Sequence, residues 1–266
     1  MKIKLARLLL AFFILQSILL GGITYFFELS KYSFYTFFMF TVLWHFVIYF
    51  YLTSHMETFY KTETAEKLTD VNLANSISLF RASSVMTVGF LIWYCEHETI
   101  LILAVCFTVI IFISDALDGI VARKKKEITG LGKMIDSMSD YALLTFMSAL
   151  FYEKEILPLW FFWLLFMRFF IQSYGMVKFI ALNYPMEPKS TIGGKITIAG
   201  TMTLYFLALI SLLFKNELFN KFLQISLVLC ALVIFIFMFE KIFIFYKHWQ
   251  KYKKHKQNKS TENPEK

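Results

Sequence analysis

The sequence predicts an all-α fold, a polytopic membrane helix bundle. Three observations carry that reading. Hydrophobic residues fill 58% of the 266 positions, where soluble globular domains run at about 45–50%. Mean hydropathy is +0.59. Several apolar runs approach the ~20 residues that cross a bilayer as a helix.

Eight spans are expected, at 6–27, 33–53, 78–95, 99–119, 134–152, 157–181, 196–214 and 222–246. The first is longer than a signal-peptide core and no A-x-A cleavage site follows it, so it reads as a retained helix. With the aromatic-rich second run it makes a pair of N-terminal transmembrane helices over 1–53. Residues 54–77 are polar and mixed in charge, and read as a cytoplasmic linker with an interfacial helix. The six remaining spans form a unit over 78–246. Within it, the fourth span ends in an acidic stretch and the fifth begins in one. The sixth carries Arg168 among aromatic and aliphatic residues, and the eighth ends near Glu240 and Lys241. Residues 247–266 are a basic cytoplasmic tail, expected to be solvated.

Charge sets the orientation. With the N-terminus in the cytoplasm, 22 Lys and Arg fall on the cytoplasmic side and 4 opposite, leaving out Arg168. That excess supports both termini inside and an active site at the cytoplasmic face, in the inner membrane if the cell is bacterial. The net charge of +8 suits an anionic lipid surface. No nucleic-acid motif accompanies it, so nucleic acid is not an expected partner. The four prolines are not paired between two halves, which argues against a broken-helix transporter. Cys95, Cys106 and Cys230 lack metal or redox spacing and read as apolar helix residues.

The informative stretch runs from Asp115 to Asp140. Asp115 and Asp118 are three apart at the end of one helix, and Asp136 and Asp140 four apart at the start of the next. Each pair shares a helix face, and a short loop makes the two helices antiparallel neighbours. Two like charges about 5 Å apart repel by about 3 kcal/mol at an effective dielectric of 20. Four converging carboxylates therefore call for cations, and an all-oxygen set suits hard ions such as Mg²⁺ or Mn²⁺. Two such ions fit in-line displacement at phosphorus. Gly119 lets a substrate approach the backbone, Ala122 keeps the helix face low, and Arg123 offers a planar fork to phosphate oxygens. Gly132 frees space or permits a special turn.

These residues spell D-x-x-D-G-x-x-A-R-x8-G-x3-D-x3-D, and the stretch resembles the CDP-alcohol phosphatidyltransferases at all eight specified positions. The resemblance implies a six-helix core over about 72–246, usually homodimeric, with the two N-terminal helices outside it as extra packing or dimer contacts. It implies that Asp115, Asp118 and Asp136 hold two divalent ions. Asp140 is implied as the base for the attacking hydroxyl, and as a further metal contact. Asp118, Gly119, Ala122, Arg123 and Gly132 would line the site for the cytidine nucleotide and its diphosphate. Asn75 and Arg81 resemble the segment that opens the family's first core helix.

Arg168, Lys178 and Lys195, with Lys189, are candidates for binding an anionic acceptor. A cation within a span is costly unless it faces a polar cavity. Gly194, Lys195 and Thr197 resemble part of the G-K-x-K-T segment of phosphatidylglycerophosphate synthases, although the second lysine is missing. His45 reads as a histidine hydrogen-bonded to a neighbouring helix, and Glu240 with Lys241 as an interfacial charge pair. The expected reaction is attack of a polar alcohol, glycerol-3-phosphate being the leading candidate, on CDP-diacylglycerol with release of CMP. Two alternatives stay open. One is a CDP-choline or CDP-ethanolamine:diacylglycerol phosphotransferase, and the other a cation or lipid transporter.

Overall fold

The computed structural model describes residues 1–56, 59–61, 66–68, 70–182, 191–214 and 216–262, with side chains described except at 176, 179–181 and 255–262. Its helices are α1 (Lys2–Phe26), α2 (Lys31–Ser54), α3 (Leu73–Ser83), α4 (Val85–Trp93), α5 (Glu98–Lys124), α6 (Gly130–Glu153), α7 (Leu159–Ala181), α8 (Ile192–Leu213) and α9 (Glu217–Glu262). Among the described residues there is no strand, only isolated bridges in a loop. The eight expected spans correspond to eight helical rods, one of them divided into α3 and α4. Among the described residues, six rods are long and apolar enough to cross a membrane: α1, α2, α3 with α4, α5, α8 and α9. The other two, α6 and α7, carry the charges Lys133, Asp136, Asp140, Arg168 and Lys178.

The chain forms two compact units, Met1–Ile156 with Tyr205–Lys215, and Leu157–Leu204 with Asn216–Lys266. In the first, the α3–α4 rod is the central element. Its most apolar window is 72% buried, against 22% in α1 and 33% in α5. It packs on α1, α2, α5 and α6. Small residues make this possible, because Ala74, Ser78, Ala82, Ser83 and Ser84 let neighbouring backbones come close.

Both N-terminal helices bury one narrow seam and leave the rest to lipid. In α1 the buried residues are Leu5, Leu9, Gln16 and Leu20, and in α2 Phe37, Thr41, His45, Ile48 and Leu52. Leu5, Leu9, Ile48 and Leu52 pack with Leu79, Ala82, Leu131 and Ile135 at one end. Leu20 and Phe37 pack with Phe90, Leu91, Ile100 and Ala104 at the other.

Between α2 and α3 the described residues include bridged chain. Tyr60 pairs with Lys67 and Lys61 with Thr129, so the linker adheres to the α5–α6 loop. Asn72 accounts for the early start of α3, five residues before the expected span. Its side chain accepts from the Asn75 N–H at 2.8 Å, the ordinary N-cap bond. Asn72 also donates to the Glu127 carbonyl at 3.1 Å. Lys4 donates to Asp70 at 2.5 Å and thereby holds that carboxyl below the usual carboxylate range.

In the second unit α7 packs on α9. Gly175 allows the approach: a Cβ there would overlap the Phe245 ring. Helix α9 runs on through the basic end to Glu262. Lys, Gln and Glu are good helix formers, and no Gly or Pro interrupts the run before Pro264.

At Gly89 α4 packs against α6, and a Cβ there would overlap the Phe146 ring. Gly89→Ala is expected to destabilise the protein by about 1–3 kcal/mol through overpacking. Thermal unfolding in detergent checks this; an unchanged midpoint contradicts it.

Candidate active site

The four aspartates converge as their spacing predicts, and they converge on an arginine. Arg81 of α3 has no exposed surface. One of its terminal nitrogens lies 2.9 Å from Asp115 Oδ1 and 3.2 Å from Asp118 Oδ2. The other pairs with Asp136 Oδ1. Its Nε is 3.5 Å from Asp140 Oδ1 and donates to Ser139 Oγ at 3.0 Å. Ser139 in turn donates to the Asp136 carbonyl at 2.9 Å, and Ser78 donates to Asp118 Oδ2 at 2.6 Å.

Three helices supply this centre. Residues 75, 78 and 81 recur every three positions of α3, which keeps Asn75, Ser78 and Arg81 on adjoining faces. Asp115 and Asp118 come from α5, Asp136 and Asp140 from α6. Gly132 explains how α6 comes so near to α3. A Cβ there would stand 2.5 Å from Asn75 Oδ1 and 2.8 Å from Thr129 Oγ1. Thr129 caps α6, accepting from the Gly132 N–H at 2.8 Å and donating to Asn75 at 3.1 Å. No glycine among the described residues has positive φ, so Gly132 frees space and makes no special turn.

Gly119 plays a similar part for Arg123. A Cβ at 119 would lie 3.3 Å from an Arg123 terminal nitrogen, so the exposed guanidinium folds back over the glycine. Ala122, on the same turn, is half-buried.

The donor set fits a divalent ion. Asp115, Asp118 and Asp136 each offer an oxygen, all within 4.8 Å of one another. Asp140 Oδ1 is buried and accepts no hydrogen bond. Four carboxylates against one guanidinium leave a formal charge of −3, and only oxygen ligands face it.

In the second unit, Arg168 and Lys241 are 2% and 5% exposed. Both lie at the start of α8, where a Cβ at Gly194 would be 3.8 Å from each. Arg168 donates to Gln172 at 3.2 Å, and Thr191 caps the helix by accepting from the Gly194 N–H at 3.0 Å. Lys241 lies within electrostatic reach of both Glu240 and Arg168, and so is also the second cation of this cluster. Lys178 instead lies over the Trp249 ring, 4.3 Å from its centroid. Lys195 is exposed, and Lys189 lies outside the described residues.

Sequence reasoning missed Ser78, Ser139 and Lys241. Ser78 sits three residues before Arg81, a spacing that marks the shared face. Ser139 precedes Asp140 directly. Nothing in the spacing of Lys241 marks it.

A helical membrane protein with an acidic centre of this kind is a candidate for chemistry on a phosphate-bearing substrate. Residues 71–243 match the family model of the CDP-alcohol phosphatidyltransferases. The chain belongs to that family, and so to the transferases that make phospholipids from CDP-alcohols and alcohol acceptors. The family is generally dependent on divalent metals. No curated protein and no solved structure gives a significant match.

Arg81→Gln leaves four carboxylates without their buried cation. It is expected to cost about 3–5 kcal/mol of stability, as breaking a buried ion pair does, with Arg81→Lys costing less. Denaturation of the purified variants in detergent checks the order; equal stability of all three proteins contradicts it.

Proposed function

We propose that this protein transfers the phosphatidyl group of CDP-diacylglycerol to a polar alcohol at the cytoplasmic face, with both termini in the cytoplasm. The observation that carries the reading is the convergence of Asp115, Asp118, Asp136 and Asp140 within the family's motif. Asp115, Asp118 and Asp136 would hold the metal, with Asp140 at its edge. Bound Mg²⁺ or Mn²⁺, two ions in the full set, supplies positive charge for the diphosphate and for the oxygen that leaves with CMP.

The remaining work falls to the chain itself. Asp140 is the base: buried, with an oxygen free of hydrogen bonds, it accepts the proton of the attacking hydroxyl. That oxygen forms a new bond to the phosphorus carrying the lipid, the bond to CMP breaks, and a phosphodiester results. Arg123 steadies the diphosphate, with Asp118, Gly119 and Ala122 along the nucleotide's path. Gly132 serves by its position beneath Asn75. Arg81 keeps the carboxylates gathered between turnovers.

Arg168, Lys178 and Lys195 are the proposed acceptor-binding residues. Buried Arg168 and Lys241 provide the paired positive charge that an anionic acceptor needs, which favours glycerol-3-phosphate over an uncharged alcohol. We propose a homodimer as the working assembly. The proposed domains are the hairpin of 1–53, a linker of 54–77, a catalytic core of 78–246 and a basic end of 247–266.

The test is release of CMP from CDP-diacylglycerol by purified protein with Mg²⁺ or Mn²⁺ and a panel of acceptors, followed by mass analysis of the lipid. Asp140→Asn is expected to slow turnover about 10²–10⁴-fold, the usual weight of a general base, and Asp136→Asn to abolish it in a folded protein. Full activity in either variant contradicts the assignment. CMP release from CDP-choline or CDP-ethanolamine alone moves the donor to the small CDP-alcohols, and absence of CMP from every donor favours a transporter.

A further inference from the structure

The α1–α2 hairpin lies outside the matched residues 71–243, yet three of its polar side chains, Gln16, Trp44 and His45, reach one place. That place is the break between α3 and α4, two to three residues beyond Arg81. Gln16 has no exposed surface. It donates through Nε2 to Ser84 Oγ at 3.0 Å and accepts from the Thr87 hydroxyl. Trp44 donates through its indole to the Ala82 carbonyl at 2.7 Å. His45 Nδ1 faces the Thr41 carbonyl at 2.8 Å, which can only accept, so that nitrogen carries the proton. His45 Nε2 then accepts from the Ser83 hydroxyl at 2.5 Å.

The break explains why these groups are needed. The Ser84 N–H is shared between the Phe80 and Arg81 carbonyls, at 3.0 and 3.1 Å, which tightens the last turn of α3. A helix interrupted inside a membrane must have its freed backbone groups satisfied by neighbours. Trp44 satisfies the Ala82 carbonyl there, while Gln16 and His45 bond the side chains of Ser83, Ser84 and Thr87; residue 81 is the hub of the acidic centre. A shift of that turn moves Arg81 against all four carboxylates at once.

We propose that Gln16, Trp44 and His45 are positioning residues for the transfer reaction: by clamping the α3–α4 break they hold Arg81 in register with the four aspartates and so preform the divalent-ion site. The inference rests on the metal-centre reading above. It makes the hairpin part of the catalytic apparatus, acting through Arg81 without touching substrate.

Mn²⁺ binding by the full-length protein in lipid nanodiscs, read from the loss of the free-ion EPR signal, tests it without turnover. Gln16→Met and the smaller change Ser83→Ala are each expected to raise the Mn²⁺ Kd about three- to tenfold, below the 10–100-fold typical of residues that bond the ligands directly. Leu20→Ala is the control. It thins the packing of the same hairpin on Phe37 and Phe90, away from the break, and should lower the melting temperature with Kd unchanged. Equal Kd in wild type, Gln16→Met and Ser83→Ala overturns the inference alone. A Kd raised as much by Leu20→Ala reduces the clamp to general stability and overturns it too. No Mn²⁺ binding by the wild type overturns the metal-centre reading along with it.

Discussion

One guanidinium in contact with four carboxylates is the constraint on which the first unit turns. Arg81 cannot reach water, so its charge must be met by protein. Each contact near 3 Å is worth about 5 kcal/mol at an effective dielectric of 20, and a carboxylate pair 5 Å apart costs about 3. Any one attraction exceeds any one repulsion. Four carboxylates, however, repel in six pairs and attract Arg81 in only four. The arginine therefore gathers the aspartates without neutralising them, and the residual charge is an appetite for cations. The gathered oxygens of Asp115, Asp118 and Asp136 fit a divalent ion.

That arrangement dictates the packing around it. Arg81 must enter between α5 and α6, so α3 becomes the most enclosed rod and presents small residues to its neighbours. Gly132 and Thr129 let α6 slide against Asn75, and Ser78 and Ser139 occupy the lone pairs and N–H groups that Arg81 leaves over. A polar column inside an apolar bundle requires partners on every side. The hairpin completes it by lining the far side of the α3–α4 break with Gln16, Trp44 and His45.

Much of this was legible in the sequence, for physical reasons. Apolar runs of bilayer length announced the rods, because lipid leaves a spanning chain few alternatives to helix. Spacing of three and four placed the aspartates on helix faces, because helical periodicity is local. His45 was legible as a histidine bonded to a neighbouring helix, and Ser83 is that partner. Contacts between distant segments were not legible. The pairing of Gln16 with Ser84, or of Lys241 with the Arg168 cluster, depends on how helices pack and has no local period. The ends of elements were also blurred: hydropathy marks where lipid begins, whereas Asn72 and the helix-forming tail set where α3 starts and α9 runs.

The central claim is that Asp115, Asp118 and Asp136 form a divalent-ion site organised by Arg81. Anomalous scattering from crystals grown with Mn²⁺ addresses it directly. Manganese peaks within ligand distance of those three carboxylates are expected, absent in Asp136→Asn. Manganese found only elsewhere, or the same peaks in the variant, would contradict it.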